Sequence, residues 1–277
     1  MSEDRIPLAA VLGSPVAHSR SPKLHSYWLN SYGIRGHYIP IDVTPGDLER
    51  VIRIMPTMGF VGCNVTIPYK EKVMALADQI TDRATLIGAA NTLIFRRDGL
   101  IMADNTDGYG FIESLRQGAP DWTPGAGMAV VLGAGGAARA VVAALADAGV
   151  PQITLTNRTR VRAEKLKDDF GQRIQVADWV QAGNILEDAA LVVNTTSLGM
   201  TGKAEMRVPL DGLQKGTVVT DLVYQPLQTR LLREAEEAGC TTIDGLGMLL
   251  HQAVPCFERW FGTRPAVDAA TRAAALQ

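Results

Sequence analysis

The fold of the second half of this chain depends on one stretch, Gly133-Ala134-Gly135-Gly136-Ala137-Ala138-Arg139. It follows the apolar run 128–132 and opens an alanine-rich, helix-forming run to Ala148, so the order is strand, glycine turn, helix. Its small residues have the spacing of the dinucleotide-binding fingerprint: Gly133 permits the tight turn, Gly135 lets the backbone approach a pyrophosphate, and Ala138 lets the helix pack on the strand. An ordinary glycine-rich turn is the alternative. We predict that a dinucleotide binds at this helix N-terminus, through Gly133, Ala134, Gly135, Gly136 and Ala137.

The strand predicted next, 153–156, indicates which dinucleotide this is. It ends at Asn157-Arg158-Thr159-Arg160-Val161-Arg162, which contains no acidic residue. In an NAD site an Asp or Glu near this point binds the ribose hydroxyls, whereas an NADP site needs cations. Because a guanidinium can bind a phosphate through two parallel hydrogen bonds, we predict NADP (NADPH), with contacts from Asn157, Arg158, Thr159 and Arg162. The alternative is a capped helix with a solvated basic face.

Composition excludes several classes of protein. A chain of 277 residues with 47% hydrophobic and 20% charged residues is globular and long enough for two domains. A net charge of -2 without a basic block predicts no nucleic-acid partner, and no apolar run is long enough to predict a membrane span. Three distant cysteines, and four histidines without ligand spacing, predict neither disulfides nor a metal site. Because residues 1–5 do not read as a signal peptide, we expect a cytoplasmic protein.

Strands predicted at 8–12, 37–41 and 60–65 alternate with helices, which favours a mainly parallel sheet with ligands at the strands' carboxyl ends. After the first strand, Ser21 and Pro22 predict a helix start with Ser21 as the N-cap. The hydroxyls of Ser19 and Ser21 would also suit a bound carboxylate there.

Polar residues follow the third strand, which places Asn64, Thr66 and Lys70 beside a ligand cleft. Pro68 is predicted to begin a helix with Lys70 in its first turn, where the dipole disfavours a cation. A charge at such a position suggests a function, and a solvated surface lysine is the alternative.

A hairpin and a linker follow in the sequence. Arg97-Asp98-Gly99 predicts a hairpin between 91–96 and 100–104. Asp107 after it either caps a helix or binds a ligand. The breaker-rich stretch 117–127 indicates a domain boundary near Asp107. Later strands are predicted at 190–194, 217–221 and 241–244, before helices reaching about 261 and spanning 266–276.

Taken together, these segments resemble the shikimate dehydrogenase family. Besides the glycine loop and N-R-T at 157–159, the matching motifs occur in the same order along the chain: S-R-S-P from Ser19, N-V-T-I-P-Y-K-E from Asn64, G-A-A-N-T-L from Gly88, D-N-T-D-G from Asp104, N-T-T-S-L-G-M from Asn194, D-L-V-Y-Q-P from Asp221 and G-L-G-M-L-L-H-Q from Gly245.

The resemblance implies an α/β fold with two domains and an active-site cleft between them. An N-terminal substrate domain of residues 1–106, completed by C-terminal helices at 240–277, is expected beside a Rossmann NADP-binding domain of residues 107–239. The implied reaction is the reversible reduction of 3-dehydroshikimate to shikimate by NADPH, in the chorismate pathway to aromatic amino acids.

The resemblance also implies residue roles. Lys70 and Asp107 match the catalytic pair, with the lysine as a positioned acid and the carboxylate stabilising its charged form. The substrate-binding residues implied are Ser19, Ser21, Asn64, Thr66, Asn91, Tyr224 and Gln252. Leu222, Gly245 and Met248 are implied on the cofactor side.

Two alternatives remain open at this point. A quinate or dual quinate/shikimate dehydrogenase would bind a substrate with one more ring hydroxyl in the same type of pocket. A non-catalytic, ligand-sensing relative would be expected to have lost the lysine or the aspartate, and both are present here. We expect a small-molecule substrate and a monomer or homodimer.

Overall fold

The structure is a computed structural model and describes residues 5–277; residues 1–4, which entered the compartment prediction, lie outside it. The chain divides into two compact units. The first, here called the split unit, contains the described residues up to Thr106 and Leu249–Gln277, and the second, the central unit, is Asp107–Met248. Residues 240–248 therefore belong with the central unit, because their strand pairs with its sheet. The sequence predicted this boundary after residue 239, whereas in the structure the central unit ends at Met248.

The split unit is built on a six-stranded sheet in the order β2-β1-β3-β5-β6-β4. Three of its strand pairs are parallel and two, β3 with β5 and β5 with β6, are antiparallel, so the sheet is mixed. The predicted hairpin is confirmed as β5 and β6, joined by a turn in which Gly99 has a φ of +88°. The strands are Leu8–Gly13 (β1), His37–Asp42 (β2), Phe60–Val65 (β3), Gln79–Ile80 (β4), Thr92–Phe95 (β5) and Ile101–Asp104 (β6).

Both faces of this sheet are covered, as the alternating side chains of β1 show. Ala10 and Leu12 pack into one apolar cluster, and Ala9 and Val11 pack into another with Trp260. The helices of the split unit are Ser21–Ser31 (α1), Leu48–Ile54 (α2), Asp82–Ile87 (α3) and, near the C-terminus, Ala269–Leu276 (α9), with 3-10 helices at Met55–Met58 and Lys72–Leu76.

The central unit has a six-stranded, all-parallel sheet in the order β12-β11-β10-β7-β8-β9. This confirms the Rossmann domain that the family resemblance implies. The edge strand β9, Ile174–Ala177, was not predicted, because its four residues carry only a short alternation. The other strands are Met128–Leu132 (β7), Ile153–Thr156 (β8), Ala189–Asn194 (β10), Val218–Asp221 (β11) and Thr241–Ile243 (β12).

Helices cover both faces of this sheet, where two separate apolar clusters pack against β7 and β10. They are Asp107–Gly118 (α4), Gly136–Ala148 (α5), Arg160–Phe170 (α6) and Arg230–Glu237 (α7), with 3-10 helices at Pro124–Ala126, Trp179–Gln181 and Asn184–Leu186. The boundary between the units falls inside one helix, Gly245–Phe261 (α8). Within residues 5–277, no helix has the length and apolar character needed to cross a membrane.

Candidate active site

Three neighbouring strands of the split unit place polar side chains in one row. Strand pairing sets Asn64 of β3 opposite Thr92 of β5, and Thr92 opposite Asp104 of β6. Asn91 directly precedes Thr92, and both are almost completely buried. Buried polar groups of this kind need hydrogen-bond partners, and the row supplies them.

Asn91 contacts Gln252, another of the expected substrate-binding residues. Its Nδ2 donates to Oε1 of Gln252 (3.2 Å) and to Oγ1 of Thr106 (3.0 Å). Its Oδ1 accepts from the backbone N–H of Thr106 (2.9 Å) and from the hydroxyl of Thr92 (2.8 Å). The structure therefore brings together Asn91 on the sheet and Gln252 on α8, which are far apart in sequence.

Asn64 belongs to the same network. Its Nδ2 donates to the backbone carbonyl of Asn91 (3.2 Å) and to Thr92 Oγ1 (3.3 Å), and its Oδ1 accepts from the Tyr38 hydroxyl (2.7 Å). Cys256 lies against it, with its Sγ 3.0 Å from Thr92 Oγ1. Sequence reasoning did not find Tyr38, Thr92 or Cys256. The spacing of four residues between Gln252 and Cys256 on a predicted helix was the available signal for the cysteine.

The two serines lie at the start of α1, but the prediction that Ser21 is its N-cap is wrong. Ser21 is the first helical residue and Arg20 is the N-cap, whose side chain makes no capping hydrogen bond. The Ser19 hydroxyl, two residues earlier, accepts the backbone N–H of Ser21 (3.3 Å) instead. Arg20 Nη1 donates to the carbonyl of Ala275 near the end of α9 (2.8 Å), which ties this segment to the C-terminal helix.

Thr66 and Lys70 follow β3 in a turn. The Thr66 N–H donates to the carbonyl of Leu12 (2.9 Å), and the carbonyl of Lys70 accepts from the N–H of Ala90 (2.8 Å). The prediction that Pro68 begins a helix is wrong, because the only helix here is the 3-10 helix that starts at Lys72. The helix-dipole argument for Lys70 therefore does not apply. Its half-buried side chain is held by a turn anchored to the strands.

Asp104 ends the row of polar side chains at β6. Its carboxylate accepts from Nε and Nη2 of Arg83 and from the Thr81 hydroxyl (2.8 Å). Burial by itself would raise the pKa of Asp104, but these hydrogen bonds and the Arg83 charge lower it below its usual value. Asp104 is therefore a charged anchor for the residues that follow it, 105–107.

In the central unit, the glycine loop has the geometry that the fingerprint predicts. Gly133 has a φ of +113°, and an added Cβ would lie 2.6 Å from Thr195 Oγ1. Ala138 is completely buried, so α5 packs closely on the sheet. In contrast, an added Cβ on Gly135 or Gly136 would meet no atom of residues 5–277 within 4 Å, and the N-cap of α5 is Gly135, which has no side chain to cap the helix. The helix N-terminus thus has both space and backbone donors for an anion.

The end of β8 presents cations. Arg158 and Arg162 are exposed, and within the described residues their side chains have no hydrogen bond or ion pair. Arg160, between them, pairs with Glu164 (2.9 Å) and Asp178 (2.5 Å). Asn157 Nδ2 donates to the carbonyl of Thr159 (2.8 Å), which holds the turn before α6.

The ends of β10 and β11 are joined by a buried carboxylate. Asp221 Oδ1 accepts from Asn194 Nδ2 (2.8 Å) and from the N–H of Val223 (3.0 Å), and its Oδ2 accepts from the Thr229 hydroxyl (2.7 Å). Burial raises the pKa of Asp221 to about 6, against the effect of those three hydrogen bonds. This network holds the turn after β11, which contains Leu222 and the half-buried Tyr224.

The remaining expected residues also lie in the central unit. An added Cβ on Gly245, the first residue of α8, would lie 2.3 Å from the carbonyl oxygen of Leu222, so only glycine fits there. Met248 packs against the apolar core, and Asp107, the first residue of α4, is buried. Lys70 and Asp107 fall in different units, and their pairing stays a prediction. Among residues 5–277, no cluster of three His, Cys, Asp or Glu side chains is arranged to hold a metal ion.

Three family models match consecutive parts of the chain. That of the shikimate dehydrogenase substrate binding domain matches residues 11–93, and that of shikimate / quinate 5-dehydrogenase matches residues 124–209. That of the shikimate 5'-dehydrogenase C-terminal domain matches residues 245–275.

Full-length relatives agree with these matches. A shikimate dehydrogenase (NADP(+)) of Cereibacter sphaeroides is 71% identical, with 98% of each chain covered. A shikimate 5-dehydrogenase of Thermus thermophilus, solved with NADP(H) and shikimate, is 37% identical with a TM-score of 0.87, over 97% of this chain and 98% of that one. A quinate dehydrogenase of Corynebacterium glutamicum, solved with NAD, is 31% identical with a TM-score of 0.90, over the same shares.

Proposed function

Because the chain belongs to the shikimate dehydrogenase family, we propose that it is an NADP-dependent shikimate dehydrogenase, which reversibly reduces 3-dehydroshikimate to shikimate. One observation carries this proposal. The open glycine loop at the start of α5 occurs together with Arg158 and Arg162 after β8, whose side chains have no ion pair within the described residues. A dinucleotide with an extra phosphate fits that chemistry.

The described residues fit NADP on two counts. Open space at Gly135 and Gly136 leaves room for a pyrophosphate beside the backbone N–H groups that begin α5. Arg158 and Arg162 are free to bind a ribose phosphate, whereas Arg160 is already neutralised by two carboxylates. We assign Asn157 and Thr159 to the same turn, and Leu222, Gly245 and Met248 to the nicotinamide side.

The split unit supplies groups suited to a polyhydroxy acid. The Ser19 and Ser21 hydroxyls at the start of α1 are assigned to the substrate carboxylate, because a helix N-terminus favours an anion. Amide groups donate and accept at once, which suits ring hydroxyls. We therefore assign ring contacts to Asn64, Thr66, Asn91 and Gln252 in this unit, and to Tyr224 in the central unit.

Catalysis requires a proton at the carbonyl oxygen in the reductive direction. When bound, NADPH supplies the hydride. The terminal amine of a lysine can deliver a proton to an oxygen, so Lys70 is proposed to donate that proton and to take it back in the reverse reaction. The turn that carries it is held through its carbonyl and through Thr66, which limits its movement. Asp107 is proposed as the second catalytic residue.

The proposed function is tested by measuring steady-state rates with shikimate and quinate, each with NADP and NAD. We expect the highest kcat/KM for shikimate with NADP. A higher value for quinate with NAD would favour the second candidate, a quinate dehydrogenase, which the similarity to the Corynebacterium enzyme keeps in consideration. Binding of shikimate and NADP without turnover would instead indicate a ligand-sensing protein.

Arg158→Ala is expected to weaken NADP binding selectively. Loss of charge-assisted hydrogen bonds of about 1.5–3 kcal/mol should raise the KM for NADP by about 10- to 150-fold and leave the KM for NAD nearly unchanged. Arg160→Ala is the matched control, because that arginine is occupied by Glu164 and Asp178. An equal loss with both cofactors would remove Arg158 from phosphate recognition.

A further inference from the structure

We infer that Tyr38 is a positioning residue for the substrate-binding side chains of the split unit, acting through Asn64. It lies on β2, outside every motif that supports the family resemblance. The inference rests on the proposed function, because it concerns how well shikimate binds there.

Tyr38 is held rigidly in an aromatic cluster. The side chain is 4% exposed, and its ring stacks on the ring of His25, with centroids 3.9 Å apart and planes within 4°. Trp260 packs beside it, with ring centroids 6.2 Å apart. Because the ring cannot turn freely in such packing, the position of the hydroxyl is determined by the cluster.

The Tyr38 hydroxyl donates a hydrogen bond to Asn64 Oδ1, with an oxygen–oxygen distance of 2.7 Å. On its other side, Asn64 donates to Thr92 Oγ1 (3.3 Å) and to the Asn91 carbonyl (3.2 Å). Thr92 in turn donates to Asn91 Oδ1 (2.8 Å). A continuous set of hydrogen bonds therefore runs from Tyr38 to Asn91, which is assigned to a ring hydroxyl.

Tyr38 also packs against α1, through His25. Burial raises the pKa of Tyr38, which keeps its hydroxyl a donor. His25, the ring on which Tyr38 stacks, lies one turn after Ser21 on the same helix. The one phenol thus packs against the helix that carries Ser21 and donates to the network assigned to the ring hydroxyls.

Tyr38→Phe tests this role, because phenylalanine keeps the stacked ring and removes only the hydroxyl. The buried Asn64 Oδ1 then loses its donor, and the amide is free to shift. We expect the KM for shikimate to rise about tenfold, which corresponds to about 1.4 kcal/mol. We expect kcat and the KM for NADP to change by less than about twofold, since the change alters binding groups of the split unit only.

Tyr69→Phe is the matched control. Tyr69 is fully buried in the same unit, and its hydroxyl donates to the backbone carbonyl of Val43, away from this network. We expect this variant to be less stable, with an unchanged KM for shikimate. A similar rise in KM for both variants would show a general effect of lost stability and would overturn the inference.

A double variant separates positioning from packing. If Tyr38 acts through Asn64, Tyr38→Phe should add little to the KM of Asn64→Ala, whereas independent effects would multiply and overturn the inference. Should Tyr38→Phe unfold, Asn64→Ala alone must raise the KM for shikimate with little effect on kcat. Failure of wild type to oxidise shikimate would refute the proposed function, while a wild-type KM in Tyr38→Phe would refute only this inference.

Discussion

Lys70→Ala is expected to reduce kcat by about 100- to 10,000-fold, the range in which a positioned general acid contributes. Alanine leaves no group at that position that can deliver a proton to the carbonyl oxygen, so the loss should appear in turnover. The affinity for NADPH should change little, because the glycine loop and the arginines after β8 belong to the central unit and Lys70 to the split unit. Steady-state kinetics and a cofactor-binding titration would measure both quantities.

Lys72→Ala is the natural control for this experiment. Lys72 lies two residues after Lys70, exposed at the start of the 3-10 helix. It is the same residue type in the same segment, but it has no assigned role. Its removal should leave kcat within about twofold of wild type, as is usual for surface substitutions away from a site. Unchanged turnover in Lys70→Ala would remove Lys70 from the mechanism.

His25→Leu is expected to make the protein less sensitive to acid. Burial lowers the pKa of His25 from 6.5 to about 3, and neither ring nitrogen has a hydrogen-bond partner among residues 5–277. Below pH 6.5 the unfolded chain binds a proton here and the folded chain does not. Stability from the neutral ring is therefore complete above pH 6.5 and is lost as the pH falls toward 3.

The size of this effect follows from linkage. Each pH unit below 6.5 should cost wild type about 1.4 kcal/mol, or about 2 kcal/mol by pH 5, and the leucine variant should escape this cost. Urea unfolding from pH 8 to pH 5 would show it as a changing difference in unfolding free energy between the two proteins.

Leu24→Ala is the control for packing, since Leu24 is fully buried on the same helix and does not titrate. Its cost should be nearly the same at every pH, because only apolar contacts are lost. A difference between wild type and His25→Leu that stays constant from pH 8 to pH 5 would show that His25 does not remain neutral in the fold.

Local chemistry accounts for the elements that sequence reasoning predicted correctly. The turn at Gly133 needs a positive φ, the hairpin at Gly99 needs the same, and both positions hold glycine. Likewise, an apolar run, a glycine turn and an alanine-rich run describe β7 and α5 without reference to the rest of the chain. The prediction of a parallel sheet around them follows from chain geometry.

The predictions that were wrong depended on which of several local options the neighbours would select. Ser21 is a good N-cap by its chemistry, yet Ser19 accepts its N–H and Arg20 takes the capping position while bonded to α9. Pro68 suits the start of a helix, but the chain instead forms a turn tied to Leu12 through Thr66. In each case the observed conformation has a hydrogen bond to a backbone carbonyl distant in sequence, that of Ala275 or that of Leu12.

The sequence alone therefore determined the dinucleotide loop, the family and the kinds of side chain at the site, because these depend on residue type and short spacing. Only the tertiary structure decided that Tyr38 donates to Asn64, that Asn91 meets Gln252 and that His25 is buried with no hydrogen-bond partner in the described part of the chain. The first two contacts join residues 26 and 161 positions apart. Such contacts arise only when sheet register and helix packing bring distant segments together, and neither is encoded in a local pattern.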